Sequence, residues 1–249
     1  MADLPVPNDA LHVIFSVITT YFFAASLISP NPVLKASNAD RVKIKGVGLE
    51  SSEASGQHMC MAQACLATFL CIAEVSSILT KNDPSSLAAG LVHWIFSFQG
   101  GNFSAIQLTR THVIGCILVI IGGSMRLWAF RALGKYFTFQ IAIQKGQALV
   151  RHGLYSIVRH PSYTAMIFTH PGWLMWHLTK GSWARESGLL DTTVGWAAMW
   201  GLIIMFTATA YMLLINRPPQ EDKVMKAAFG KEWDDWARDV PYRVIPGIF

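Results

Sequence analysis

Charged residues are scarce in this sequence of 249 residues. Asp, Glu, Lys and Arg together make up 14% of it, hydrophobic residues make up 52%, and the mean hydropathy is +0.36. Soluble domains carry about 25% charged residues, so an ordinary soluble enzyme is disfavoured. A disordered chain is excluded because it needs low hydrophobicity. The formal net charge of +5 is carried between apolar stretches, which indicates a membrane protein with basic cytoplasmic loops rather than one that binds nucleic acid.

Cysteine is also rare, and its spacing is not that of a metal or redox site. The four cysteines, at positions 60, 65, 71 and 116, form no C-x-x-C pair. We interpret them as small apolar side chains in membrane helices and expect no metal. The N-terminus lacks the basic region and early apolar core of a cleavable signal peptide. The first apolar run is therefore expected to remain as a membrane helix.

Long apolar runs divide the chain. A membrane-spanning helix needs about 20 mostly apolar residues. Five segments qualify: 10–29, 59–79, 112–130, 161–179 and 189–215. The fourth is the weakest, because His170-Pro171-Gly172 interrupts it. The run 87–98 is too short to span, and is either a re-entrant or interfacial segment or part of a sixth helix through 84–109. We therefore predict an all-α, polytopic membrane protein with five transmembrane helices, and six as the alternative.

Basic residues indicate the orientation. The segment 131–160 and the tail after 216 are both basic, and two predicted spans separate them, so both can face the cytoplasm. The loop 30–57 is also net basic. Five spans place it in the cytoplasm as well, whereas six place it outside. The C-terminus is predicted to be cytosolic.

The polar segment 131–163 is long for a plain connection, and such loops are usually functional. The alternative is an amphipathic segment on anionic headgroups. At its end, Pro161 suits the first turn of a helix. Arg159 and His160 then lie at the positive helix end and, with the hydroxyl of Tyr163, would suit a carboxylate or phosphate. Otherwise the basic pair is an interfacial anchor.

A second polar segment, NRPPQED, follows the last predicted span. Because proline disfavours helix at the residue before it, the span is predicted to end or kink at Arg217, and a new helix to start at Pro218 or Pro219. Arg217 and Glu221 are four residues apart and would share a helix face. Arg217 is either a snorkelling interfacial residue or a bidentate carboxylate clamp. The helix dipole alone would account for Glu221 and Asp222.

Apolar residues in the tail recur at helical spacing, with Gly230 as the point where the stripe can break. We predict a helix that lies on the membrane or packs over the last spans, with a lid as a second role. The stripe consists of Met225, Phe229, Trp233, Trp236 and Val240.

Together the two polar segments resemble the isoprenylcysteine carboxyl methyltransferase family. RHPSY at 159–163 is similar to the family's RHPxY signature, which related phospholipid methyltransferases share. RPPQED at 217–222, followed by FG at 229–230, is similar to its R-x-x-x-E-E and FG pattern. The resemblance covers roughly residues 125–249, and the first half matches only as apolar helices.

The resemblance implies one membrane-embedded methyltransferase domain over 1–249, with N-terminal transmembrane helices in 1–110 and a catalytic core in 111–249. It implies S-adenosylmethionine as methyl donor, bound in a cytosolic pocket formed by the 131–163 segment and the tail. It implies farnesyl- or geranylgeranyl-cysteine at prenylated protein C-termini as acceptor, reached from membrane lipid. The family's eukaryotic members imply the endoplasmic reticulum.

Site residues follow from the resemblance by position. Arg217 would hold the substrate carboxylate and Glu221 would contact the cofactor, and these two are the expected catalytic pair. Asp222 departs from the second glutamate of the family, and its shorter reach puts cofactor contacts there in doubt. The other expected cofactor-binding residues are Gln140, Gln147, Ala148, Leu149, Val150, Tyr155, His160, Pro161, Ser162 and Tyr163.

The acceptor decides the chemistry. A C-terminal carboxylate is ionised at neutral pH and needs no general base. A phospholipid amine, the first alternative, would need one, and Glu221 or His160 would be the candidate. A membrane sterol-type reductase that uses NADPH and a non-catalytic membrane protein are the remaining alternatives.

Overall fold

The computed structural model describes residues 5–6, 9–31 and 53–248. This part of the chain is helical apart from a two-residue antiparallel pairing of β1 (Pro5–Val6) with β2 (Leu108–Thr109) and irregular connections, which confirms the all-α prediction. The helices are α1 (Asp9–Leu27), α2 (Glu53–Thr80), α3 (Leu87–Phe96), α4 (Arg110–Leu133), α5 (Pro161–Leu178), α6 (Trp183–Glu186), α7 (Thr193–Tyr211), α8 (Arg217–Phe229) and α9 (Lys231–Asp239).

Four helical stretches of the described residues are long and apolar enough to cross a membrane. They are Asp9–Leu27, Gln57–Thr80, Arg110–Tyr136 and Thr193–Phe229. Helix α5, the predicted fourth span, is not among them, although it runs unbroken through Pro171. Helix α3 ends at Phe96 and is about 15 Å long at 1.5 Å per residue, so the extended sixth helix through 84–109 is wrong. The number of spans remains a prediction, as does the side of the 30–57 loop, of which 32–52 lies outside the described residues.

Helices α4 and α5 pack against each other at glycines. A Cβ atom on Gly122 of α4 would lie 2.4 Å from the carbonyl oxygen of Ala165 on α5, and one on Gly115 would lie 2.7 Å from that of Gly172. Small residues let helix backbones approach closely where lipid gives no hydrophobic driving force between helices. The two helices therefore form a rigid pair, and the N-terminus of α5 lies where this pair meets the site.

We expect Gly122→Leu to lower the free energy of unfolding by about 3 kcal/mol, because the added side chain forces the two backbones apart. Thermal unfolding in detergent measures it. Gly201→Leu is the matched control, because no atom lies within 4 Å of a Cβ built there. An equal loss in the two variants would contradict the role of close packing.

The acid inside the second span, Glu74, is fully buried. Its carboxylate accepts hydrogen bonds from the Ser16 hydroxyl at 2.9 Å and from Trp176 Nε1 at 2.7 Å, and lies 3.3 Å from Nε2 of His12. A buried polar group is costly unless it is hydrogen-bonded, and the Glu74 carboxylate accepts two hydrogen bonds here. Glu74 thus fastens α1, α2 and α5 to one another.

His112 of α4 joins this cluster, and the ligand atoms of His12, Glu74 and His112 lie within 4.8 Å of one another. Nδ1 of His112 accepts the backbone N–H of Thr109 at 3.2 Å. Neutral imidazole then carries its hydrogen on Nε2. A metal-bound histidine instead donates its second N–H to a neighbour. We therefore interpret the cluster as a polar network between helices.

The last span does not end at Arg217. The chain stays helical and widens to a π-helical turn over Met212–Asn216, and α8 then begins at Arg217. Pro218 and Pro219 lie in the first turn of α8, as predicted. Because proline has no N–H, the carbonyls of the preceding turn lose their usual α-helical donors. The π turn thus replaces the predicted end or kink and carries α7 directly into the site.

Candidate functional site

A cavity of about 560 Å³ lies where the two polar segments meet. The extended chain at 136–143 lines it, together with residues from α2, α4, α5, α7 and α8. Asn31, beyond the end of α1, fixes this wall by donating from Nδ2 to the carbonyls of Gly134 at 2.7 Å and Phe137 at 2.9 Å. The long 131–163 segment is therefore a structured wall of the cavity.

Asp222 lies at the centre of the junction between the two motifs. Its Oδ2 accepts from Arg159 Nη2 at 3.1 Å and from Arg243 Nε at 2.9 Å, and its Oδ1 lies 3.0 Å from Nε2 of His160. The side chain is only 8% exposed. Asp222 thus supplies an anion at the start of α5 from within the protein, and Arg159 is bound to it.

Glu221, one residue earlier, faces the other side of the same histidine. Its Oε2 lies 3.2 Å from Nδ1 of His160, its Oε1 accepts from Nη2 of Arg217 at 3.3 Å, and the Tyr163 hydroxyl donates to the same oxygen. Arg217 Nη2 also donates to the carbonyl of Phe139 at 2.6 Å. The expected catalytic pair is therefore brought together at the cavity wall with both motif segments.

The imidazole of His160 bridges the two acids. Burial disfavours its charged form, but the bonds to Asp222 and Glu221 outweigh burial and raise the pKa of His160. Burial likewise opposes ionisation of Asp222, yet the bonds from His160 and Arg243 and the charge of Arg159 hold its pKa at about 2. The site is therefore preorganised as a charged cluster.

The stabilising contribution of His160 is expected to depend on pH. Because its folded-state pKa is raised, the contribution is complete below the ordinary value of 6.5 and is lost as pH rises through the folded-state pKa. The stabilising contribution of Asp222 is present above pH 3.8, the ordinary pKa of an aspartate, and is lost as the pH falls through its folded-state pKa of about 2. The midpoint difference between wild type and His160→Gln should thus be constant between about pH 4 and 6.5 and shrink at higher pH. His152→Gln, at an exposed histidine, is the control. A midpoint difference between wild type and His160→Gln that grew with pH would contradict the prediction.

Most of the residues expected to bind the cofactor line the cavity, together with Arg217 and Glu221. Leu149 does not line it and instead packs in a buried cluster with Tyr155, Trp236 and Val240. Pro161 opens α5 without lining the cavity. Their expected roles are untested, as are those of the lining residues. The cofactor candidates that line it are Gln140, Gln147, Ala148, Val150, Tyr155, His160, Ser162 and Tyr163.

The C-terminal tail completes the site. As predicted, the apolar stripe breaks at Gly230, between α8 and α9. The backbone N–H groups of Arg159 and His160 donate to the carbonyls of Tyr242 at 3.0 Å and Arg243 at 2.8 Å. Trp236 both lines the cavity and packs in the buried cluster. The tail is packed against the 149–160 chain, so its place over the site is fixed.

Sequence reasoning missed two participants. Arg126 lies near the end of the predicted span 112–130 and belongs to neither motif, yet it is 3% exposed and lines the cavity. Arg243 was counted only as tail charge, yet it binds Asp222. An arginine one turn inside an apolar run was the available signal for Arg126, because such residues usually face a protein interior. No local signal marked Arg243.

Comparison with known protein families gives a match in the central part of the chain. Residues 113–180 match the Isoprenylcysteine carboxyl methyltransferase (ICMT) family. The resemblance predicted from the motifs is thereby confirmed. The ICMT match includes α5 and the RHPSY segment, whereas α8, with Arg217 and Glu221, lies beyond it.

Individual relatives include methyltransferases and a sterol reductase. The protein-S-isoprenylcysteine O-methyltransferase of Xenopus laevis is 30% identical over 172 residues, which are 68% of this chain and 53% of that protein. A probable protein-S-isoprenylcysteine O-methyltransferase of Oryza sativa subsp. indica is 28% identical over 129 residues, 51% and 57% of the two chains. A Delta(14)-sterol reductase of Gibberella zeae is 27% identical over 124 residues, which are 44% of this chain and 26% of that protein. The chain thus spans about half the length of the methyltransferases it matches.

Proposed function

We propose that this protein uses S-adenosylmethionine to methylate the C-terminal carboxylate of prenylcysteine in prenylated proteins. The observation that carries the proposal is the cavity at which the RHPSY segment of the ICMT match meets Arg217 and Glu221. The proposal includes an integral membrane location in the endoplasmic reticulum, with the C-terminus in the cytosol and one catalytic domain.

The lining residues fit the proposed cofactor by their chemistry. Glu221 offers a carboxylate for the ammonium group, and Gln140 and Gln147 offer amides to the polar edges of a nucleoside. Tyr155 contributes an aromatic ring. When bound, S-adenosylmethionine supplies an electrophilic methyl group. The remaining requirements are to hold the acceptor carboxylate in line and to keep water away.

Arg217 is suited to hold the acceptor carboxylate. A guanidinium binds a carboxylate through two parallel hydrogen bonds, which fixes orientation as well as position. Its side chain is 19% exposed at the start of α8, and the apolar Met212 and Leu213 line the same cavity. A prenyl chain would then lie along apolar lining while its carboxylate reached Arg217. Because the acceptor is already ionised, alignment and desolvation would supply the rate enhancement.

Methyl transfer in lipid vesicles tests the proposal. Labelled S-adenosylmethionine is supplied with N-acetyl-S-farnesylcysteine or with phosphatidylethanolamine. We expect methyl ester on farnesylcysteine, reduced at least about 100-fold in Arg217→Ala and in Glu221→Ala, since each removes a charged hydrogen-bond partner at the cavity. Arg238→Ala and Glu232→Ala, both exposed on α9, are the matched controls. Label on the phospholipid instead would contradict the proposed acceptor.

The similarity to a sterol reductase favours one second candidate, an NADPH-dependent reductase. Equilibrium binding separates the two. Saturable binding of NADPH without binding of S-adenosylhomocysteine would support the reductase and overturn the methyltransferase. The same cavity would then serve a different cofactor.

A further inference from the structure

Arg126 is a buried cation whose charge no acid in the described part of the chain neutralises. It is 3% exposed and lies on α4 at the cavity. Its Nε donates to the carbonyl of Ser26, and its Nη1 donates to Ser162, at 3.0 Å to the carbonyl and 2.7 Å to the hydroxyl. These partners are neutral. Desolvation of an unpaired charge is costly, so its presence at a cavity calls for an anion.

The other charges of the site are already matched. Asp222 is bound by Arg159, His160 and Arg243, and Glu221 by Arg217 and His160. Each of the two acids therefore pairs with more than one cationic side chain, and positive charge is in excess at the cavity. Among the described residues that line the cavity, Arg126 is the cation without an acidic partner.

The geometry places Arg126 beside the expected carboxylate site. Its guanidinium carbon lies 5.7 Å from the centre of the Phe139 ring, and the Phe139 carbonyl accepts from Arg217. Both guanidinium groups thus lie close to Phe139 in the cavity wall. Nη2 of Arg126 makes no hydrogen bond to the described residues, which leaves its two N–H donors for a ligand.

We propose that Arg126 binds a ligand carboxylate in this cavity, next to Arg217. The inference rests on the proposed function, which offers two sources of that group: the acceptor's C-terminus and the amino-acid part of the methyl donor. Both present the same planar anion, whose oxygens can accept from Nη2 of Arg126. The role is one of binding, so it can be measured without turnover.

Matched acid and ester ligands test this inference. The probes are N-acetyl-S-farnesylcysteine and S-adenosylhomocysteine, each with its carboxyl methyl ester, bound at equilibrium to the full chain in lipid. We expect wild type to prefer one acid over its ester about 10- to 100-fold, and Arg126→Gln to lose that preference. Arg126→Lys should retain part of it. The affected pair identifies which carboxylate Arg126 holds.

Arg126 also holds α1 to α5, so loss of packing must be distinguished from loss of charge. Ser162→Ala removes one of its neutral partners and leaves the cation, so any weakening of binding should be equal for an acid and its ester. Equal weakening of acids and esters in Arg126→Gln, or unchanged binding of both acids, would overturn the inference. Failure of wild type to bind any of the four ligands would instead overturn the proposed function, and the inference with it.

Discussion

Asp222→Ala is expected to lower the free energy of unfolding by about 3–5 kcal/mol and to reduce ligand binding with it. The substitution leaves Arg159, which is 8% exposed, without its counter-charge. Removal of one partner from a buried ion pair has this cost because the other charge stays desolvated. It also removes the acceptor that holds Nε2 of His160, so the imidazole loses one of its two anchors. A thermal midpoint lower by roughly 6–20 °C would follow.

Asp222→Asn isolates the charge in this experiment. It keeps the size and an acceptor oxygen, and should recover part of the stability without the negative charge that helps to raise the pKa of His160. Asp235→Ala is the exposed control, because its carboxylate pairs with Arg238 at the surface. If Asp222→Ala unfolded at the wild-type temperature, the cluster would not hold the tail to α5.

A loss of similar size is expected for Glu74→Ala, in the membrane-spanning part of the chain. The variant leaves the Trp176 N–H and the Ser16 hydroxyl without their acceptor at a fully buried position. Two buried donors without an acceptor together cost about 2–6 kcal/mol. Thermal unfolding in detergent is the measurement, with the activity of the surviving folded fraction as a second readout.

Glu74→Gln is the matched variant, since its amide oxygen can still accept one of the two hydrogen bonds. Glu232→Ala, whose side chain is 48% exposed, serves as the surface control. The same midpoint for Glu74→Ala and Glu232→Ala would show that the cluster does not fasten the helices. Retained specific activity with a lowered midpoint would fit a structural role away from the cavity.

Helices were predicted from the sequence because their signals are local. Apolar runs of the right length placed α1, α2, α4 and α7, and prolines placed the starts of α5 and α8. The π turn at 212–216 was not predicted, since two prolines permit either a break or a widened turn. Helix α5 also continues past Pro171, because its packing against α4 outweighs the one hydrogen bond that proline removes.

Partners within the site could not be predicted in the same way. The spacing of Arg217 and Glu221 placed them on one face, and they do contact each other. Asp222 was expected beside the cofactor or at a helix dipole, yet its bond to Arg159 joins residues 63 positions apart. Periodicity contains no information on such pairs. Arg126 shows the same limit, because its partners Ser26 and Ser162 come from two other helices or their ends.

The long-range bonds of the cavity have a consequence for folding kinetics. Arg159–Asp222 and Arg217–Phe139 close chain segments of 63 and 78 residues, whereas each membrane helix forms from neighbours along the chain. Contacts of high sequence separation form late because loop-closure entropy is lost before they are gained. The site would thus assemble after the helices, and local opening can release it while they stay in place. A ligand that binds only the closed form would then slow that opening. The residence time of the ligand would therefore depend on how long the tail stays packed on α5.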